Sequence, residues 1–366
     1  MAGTAQKQIV ERGAQQYPVV NFKGNIAYRS NWDPGGPHFL SWLEDPWSSP
    51  EFLDGSGPAK PPDPGADGMF FAMNETRAFY FKFEEDASGA PQSMGFYSLG
   101  QRMEIPPYVG SPVGFDPVLY RTSKRHRWMT IGAAWPVYWS HAWSEFIMGG
   151  WDVVLRTNGW SLIFDQGGDD IEPSVYETGA STYIAWTSRR NERGVLNGRY
   201  GVSVYLVDSV GHSFQSVLEE LDARHPNFAK SETFHQPALV YELLVDKQTP
   251  GQPGPLLRYA LFDLSGNVLE HDMLPTPCTA PHRPVATWFK GEVYVLYTCL
   301  DSHDAELRLM SLDGKCDVTI DYLGYAPSDN EQAQYDIAGE HIVYSRWLGP
   351  DPWDLDIFWT VIPNHC

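Results

Sequence analysis

The chain has 366 residues, and 42% of them are hydrophobic, enough to build one large core or two ordinary ones. Its formal charge of −20 disfavours nucleic acid and anionic membrane as partners, because both select a basic surface. No apolar run reaches the roughly 20 residues of a membrane span, and MAGTAQKQIVERGAQQ (1–16) lacks the apolar centre of a signal peptide.

The first predicted strands lie in NFKGNIAYRS near Phe22 and in GNIAYRSNW (24–32). A Pro/Gly loop, GSGPAKPPDPGAD (55–67), leads to a second unit at DGMFFAM near Met69. From there prolines mark similar strands: FDPVLY with Pro117, IEPSVYE with Pro173, HQPALVYE with Pro237 and HRPVATWF with Pro284. EQAQYDIAG carries Ala333 at the matching place, and the successive intervals are 56, 64, 47 and 49 residues. Each unit continues into a stronger strand, such as STYIAWTS (181–188), EVYVLYTC (292–299) or EHIVYSRW (340–347). A third strand often follows, as in YGVSVYLVD (200–208) and LDIFWTVI (355–362). Only QSVLEELDAR (215–224) reads as a helix.

A repeat of this length with three or four strands predicts an all-β, seven-bladed β-propeller formed as one domain over 1–366. Its units start near 22, 69, 117, 173, 237, 284 and 333. A pair of β-sandwiches does not require such regular spacing. The seventh unit lacks a fourth strand, so an N-terminal strand, QYPVVNF (16–22), is expected to complete it and close the ring. The pattern resembles TolB-like and BNR-type propeller repeats, a resemblance that implies fold alone.

In a propeller, residues at the entries of the innermost strands converge on one channel mouth. The proline register places Asp116, Glu172, His235-Gln236, His282-Arg283 and Glu331 there. His235, Gln236, His282 and Arg283 are the expected catalytic residues, with Glu172 and Glu331 beside them in substrate binding. Any one of them alone reads as a strand-entry residue that bonds a neighbouring sheet or a channel water. WPVYWSHAWSE (135–145) supplies Trp139, His141 and Trp143, with Trp151 shortly after. Such a cluster suits an aromatic wall against an apolar or sugar ring, with packing between units as the plainer explanation. Trp347 and Trp353 near the C-terminus and Trp32 in SNWDPGGPHF (30–39) are expected to face each other across the closure.

No GxGxxG, P-loop, HExxH, GxSxG or EF-hand pattern occurs, and DQGGDDIE (165–172) lacks calcium-loop spacing. The expected site therefore uses no cofactor and no metal. Cys278, Cys299, Cys316 and Cys366 permit two disulfides in three connectivities. With the sequon NET at Asn74 they point to a secreted glycoprotein, in the secretory pathway or outside the cell; a cytoplasmic location is the alternative.

Three functions fit these features. A carbohydrate-active propeller would use His and Arg in a polysaccharide lyase, or two carboxylates in a glycosidase, with Glu172 and Glu331 as the available pair. A non-catalytic lectin or scaffold should repeat its binding residues, whereas these loop residues differ between units. Finally, the length, Trp-rich repeats, late cysteines, sequon and lack of cofactor motifs resemble fungal propellers that act as hetero-Diels–Alderases in tropolonic sesquiterpene biosynthesis. That resemblance implies secondary metabolite biosynthesis: cycloaddition of a quinone methide, a small-molecule substrate, with an apolar polyene. Catalysis would rest on proximity, orientation and hydrogen bonds. This is the leading expectation, carbohydrate processing the alternative, and the sequence sets no oligomeric state.

Overall fold

Runs such as STYIAWTSR (181–189) and EVYVLYTC (292–299) combine β-branched and aromatic side chains that pack well on a pleated surface. The computed structural model describes residues 6–9, 14–31, 38–49, 51–52, 71–73, 78–85, 91–98, 101–103, 126–131, 136–141, 151–156, 161–164, 169–189, 200–208, 214–233, 235–244, 254–300, 305–324, 334–349 and 354–366. Among these residues every regular element is a strand. The strands form seven four-stranded antiparallel sheets, six of them built from consecutive strands. The first strands are Ala14–Val20, Phe71–Met73, His126–Ile131, Asp169–Glu177, Ala223–Phe228, Pro281–Phe289 and Tyr335–Ala338. They touch one another in that order, and the last touches the first. The all-β propeller fold is therefore present, with its ring closed.

An N-terminal strand completes the last sheet, but it lies earlier than expected. Lys7–Ile9 pairs antiparallel with Leu355–Val361, while QYPVVNF (16–22) mostly belongs to the first strand of the first sheet. Ile9 is buried with Ile26, Val343 and Ile357, so closure is both hydrogen-bonded and apolar. The helix expected over 215–224 is also corrected. Phe214–Leu221 is the outer strand of the fourth sheet, paired with Gly201–Asp208, and Val217 and Leu218 pack against that interface. Tertiary pairing outweighs the modest helix preference of Leu and Glu. The first strand of the fifth sheet is consequently Ala223–Phe228, and Pro237 precedes its second strand, Ala238–Leu243. Pro117 lies outside the described residues.

Burial is distributed over the faces between sheets. Tyr183, Phe228, Tyr241 and Phe262 fill the fourth-to-fifth interface, and Leu296, Leu309, Ile337 and Tyr344 fill the sixth-to-seventh. Fully burying one such side chain contributes about 1.5–3 kcal/mol. Disulfides join Cys278 to Cys299 and Cys316 to Cys366; the second ties the sixth sheet to the residues after the seventh.

Four first strands share one local device. Tyr17, Glu172, His225 and Arg283 each precede a proline and have φ of 53°, 55°, 52° and 50°. At each of them the ladder register shifts. A bulge sets two residues against one and re-aims a side chain, and proline tolerates the position because it has no ladder N–H to lose. The left-handed backbone costs a non-glycine residue about 1–2 kcal/mol. In the fourth, fifth and sixth sheets this strain holds an acid, a histidine and an arginine at equivalent places.

Candidate functional site

Those three bulge residues meet. His225 Nε2 lies 3.0 Å from Glu172 Oε1, and an Arg283 terminal nitrogen lies 3.8 Å from the same oxygen. Glu242, near the end of the fifth sheet's second strand, is the hub. Its Oε1 stands 2.7 Å from His225 Nδ1 and 2.8 Å from His282 Nδ1, and it accepts the Arg283 backbone N–H at 2.6 Å. Its Oε2 accepts Arg224 Nε–H at 2.8 Å. Thr187 donates its hydroxyl to Glu172 Oε2 and accepts the His225 backbone N–H. Tyr335, from the seventh sheet, donates to the carbonyls of His282 and Arg283. Glu172, His225, Glu242, His282 and Arg283 are all buried, while the Arg224 side chain retains 14% exposure.

Burial would raise the Glu172 carboxyl, but His225 and Arg283 outweigh it and hold the group below its ordinary value. The same contest, with His225 and His282 as partners, leaves Glu242 well below its ordinary value. Burial would favour a neutral His225, yet Glu172 and Glu242 outweigh it and raise the imidazole. His282 moves the other way: burial lowers it, helped by His225 and Arg283, against the pull of Glu242. The shifts of two adjacent histidines thus run in opposite directions, and such divergence marks candidate acid–base sites.

His225, Glu242 and His282 also offer ligand-type atoms within 4.8 Å of one another. Their contacts are of hydrogen-bond length, and the Glu242 carboxylate receives four donors, about its full acceptor capacity. Two guanidinium groups, Arg224 and Arg283, oppose a further cation. The geometry is that of a hydrogen-bonded ion cluster around Glu242.

The other expected residues go elsewhere. His235 and Gln236 sit at the opposite end of the fifth sheet's second strand from Glu242. The His235 ring stacks on Trp288, with centroids 4.8 Å apart, and contacts Thr233 at 3.0 Å. Trp288 Nε1–H donates to the Gln236 carbonyl. Near that end Lys230 reaches the Val20 carbonyl and the Asp336 carboxylate, linking the fifth, first and seventh sheets. The placement of His235-Gln236 beside His282-Arg283 is therefore corrected. Trp139 and His141 lie within the strand Pro136–His141, and Trp151 opens the next strand, directly paired with His141. Trp347 ends the seventh sheet's second strand, where its backbone N–H donates to the Leu323 carbonyl. Trp32, Trp143, Glu331, Trp353 and Asn74 lie outside the described residues.

Sequence reasoning missed His225, Arg224 and Glu242. Two signals were present. His225-Pro226 repeats the pattern of Glu172-Pro173 and Arg283-Pro284, and taking Pro226 as the mark gives intervals of 53 and 58 residues in place of 64 and 47. Glu242 is a lone charge in the buried run ALVYEL.

No protein-family model matches the chain, and no curated protein matches its sequence. Solved structures do match in fold. The chain is similar to an oligogalacturonate lyase in complex with manganese, at 10% identity and TM-score 0.54 over 100% of this chain and 99% of that one. It is similar to polysaccharide lyase Uly1, at 7% identity and TM-score 0.54 over 99% of each chain. It also matches the β-propeller domain of the trilobed protease from Pyrococcus furiosus, at 9% identity and TM-score 0.51 over 97% and 99%. The class these comparisons define is the β-propeller fold. Identities this low establish nothing finer.

Proposed function

We propose that the chain is a carbohydrate-active enzyme that cleaves a uronate-containing polysaccharide by β-elimination. The observation that carries this reading is the meeting of the His282 imidazole and the Arg224 guanidinium on one carboxylate, Glu242, with the Arg283 guanidinium beside the neighbouring Glu172. Elimination needs a base for the proton beside the uronate carboxyl and cationic groups where negative charge develops. Neutral His282 donates Nδ1–H to Glu242, which leaves its lone pair on Nε2 to take that proton. The C5–H bond breaks toward His282, the C4–C5 double bond forms, and the C4–O bond breaks. The leaving oxygen takes a proton from water, and the hydroxide left behind takes the C5 proton from His282, which restores the base. Arg224, the most exposed cation of the set, and Arg283 stabilise the carboxyl group as charge builds. Burial sets one condition: His282 is 1% exposed, so substrate reaches it only when the covering groups part.

A glycosidase is less well served, because it needs one carboxyl held protonated. Glu172 and Glu242 are both held ionised by His225 and their other partners. Polysaccharide lyases among the fold neighbours support the elimination reading. The cycloaddition implied by the fungal resemblance gains no support from them, and the described cluster is ionic where that reaction asks for an apolar cradle. Two disulfides support a secreted enzyme, since such bonds persist in oxidising compartments. Incubation with polygalacturonate, alginate, glucuronans and ulvan, followed by ultraviolet absorbance, tests the proposal. A steady rise from unsaturated ends is expected; a flat trace with all of them rejects it.

A further inference from the structure

His225 has carboxylates at both ring nitrogens. Nε2 is 3.0 Å from Glu172 and Nδ1 is 2.7 Å from Glu242. A neutral imidazole carries a single N–H, so one of these contacts would set a nitrogen lone pair against a carboxylate oxygen. Two protons make both contacts attractive. The His282 ring lies edge-on to this one, with centroids 5.2 Å apart, and shares Glu242 Oε1 with it. A second imidazolium there would crowd two charged rings and the cation of Arg224 around one carboxylate.

We infer that His225 is a positioning residue, a buried imidazolium clamped between Glu172 and Glu242 whose charge adds to burial in keeping the adjacent His282 neutral. The groups facing it are Glu172 and Thr187 from the fourth sheet, Glu242 from its own sheet, and His282 and Arg283 from the sixth. Arg224 precedes it in its own strand. The third strand of the fourth sheet, also packed against that strand, brings the buried Val202 and Val204, which do not titrate. The cluster thus assigns unequal roles to two neighbouring histidines. His225 cannot reach a substrate while both nitrogens are held, so it acts through His282. The consequence for catalysis rests on the elimination reading; the charge assignment does not.

Nitrogen-15 NMR of the full chain at neutral pH tests the assignment directly. His225 is expected with both ring nitrogens protonated, and His282 with a proton on Nδ1 alone. In Glu172→Gln, a mild change that keeps a hydrogen-bonding side chain, His225 should lose its second proton at lower pH than in the parent. In His225→Gln, the acidic limb of the elimination pH profile should move up by about one pH unit, because a like charge next to His282 has gone. A singly protonated His225, or a doubly protonated His282, at neutral pH overturns the inference. The expected nitrogen pattern without any unsaturated product supports the charge assignment and counts against the elimination reading.

Discussion

His235-Gln236-Pro237 and His282-Arg283-Pro284 are nearly the same words in the sequence, and the fold sends them to opposite ends of the propeller. His282 enters a first strand beside a bulge, where Glu242, His225 and Arg283 surround it. His235 precedes a second strand and stacks on Trp288 in partial contact with solvent. Proline marks both places for different reasons. At Pro284 it follows a left-handed residue inside a ladder; at Pro237 it merely precedes one. The lesson is that X-Pro signals a place where the ladder can do without an N–H. Which strand of the unit holds that place has to be settled by the neighbouring strands.

Substitutions should separate the two ends sharply. Glu242→Ala removes the hub of the buried cluster and leaves His225, Arg224 and the Arg283 N–H without their shared acceptor. Breaking one side of a buried ion pair costs about 3–5 kcal/mol, so a large fall in denaturation midpoint is expected. Retention of the midpoint within a degree or two would show the cluster to be energetically idle. Reduction of both disulfides should cost about 2–4 kcal/mol each, read as a lower midpoint under dithiothreitol, and Cys316→Ser with Cys366→Ser should reproduce the part due to the clasp between sheets.

The pH dependence should be smaller and two-sided. Glu172 and Glu242, held below the ordinary carboxylate value, add stability above that value and lose it as pH falls through their lowered ones. His282, also held low, adds stability above the ordinary imidazole value of about 6.5 and loses it as pH falls. His225, held high, adds stability that is complete below about 6.5 and is lost as pH rises through its raised value. Thermal midpoints across pH should therefore peak between these limits, and His225→Gln should abolish the alkaline decline. An unchanged decline in that variant would assign it to another group. The smallest effect belongs to the other end: His235→Ala should change stability by less than about 1 kcal/mol, the loss of one ring stack, in a urea titration.

The repeat was readable because each unit needs strong inner strands, and β-branched and aromatic runs such as STYIAWTSR and EVYVLYTC announce them. The strand Ala223–Phe228 was not readable in that way. ARHPNF has no β-branched residue, and its backbone is held in place by Leu239, Val240 and the sheets on either side rather than by its own propensity. The preceding QSVLEEL favours a helix locally, which hides the short strand that follows it. The proline after His225, not the one after Gln236, therefore marks the fifth first strand. Glu172, His282 and Arg283 remained legible because their strands combine a polar residue, a proline and a long apolar run. Glu242 was hidden by contact across sheets, which no single-strand pattern records.

The most direct test compares the parent chain, His282→Ala and His235→Ala on the uronate polymer that gives the fastest rise in ultraviolet absorbance. The account predicts that His282→Ala falls by at least about a hundredfold, the usual contribution of a positioned base, while His235→Ala stays within about twofold of the parent. Equal activity in the parent and His282→Ala, or a collapse confined to His235→Ala, would contradict it.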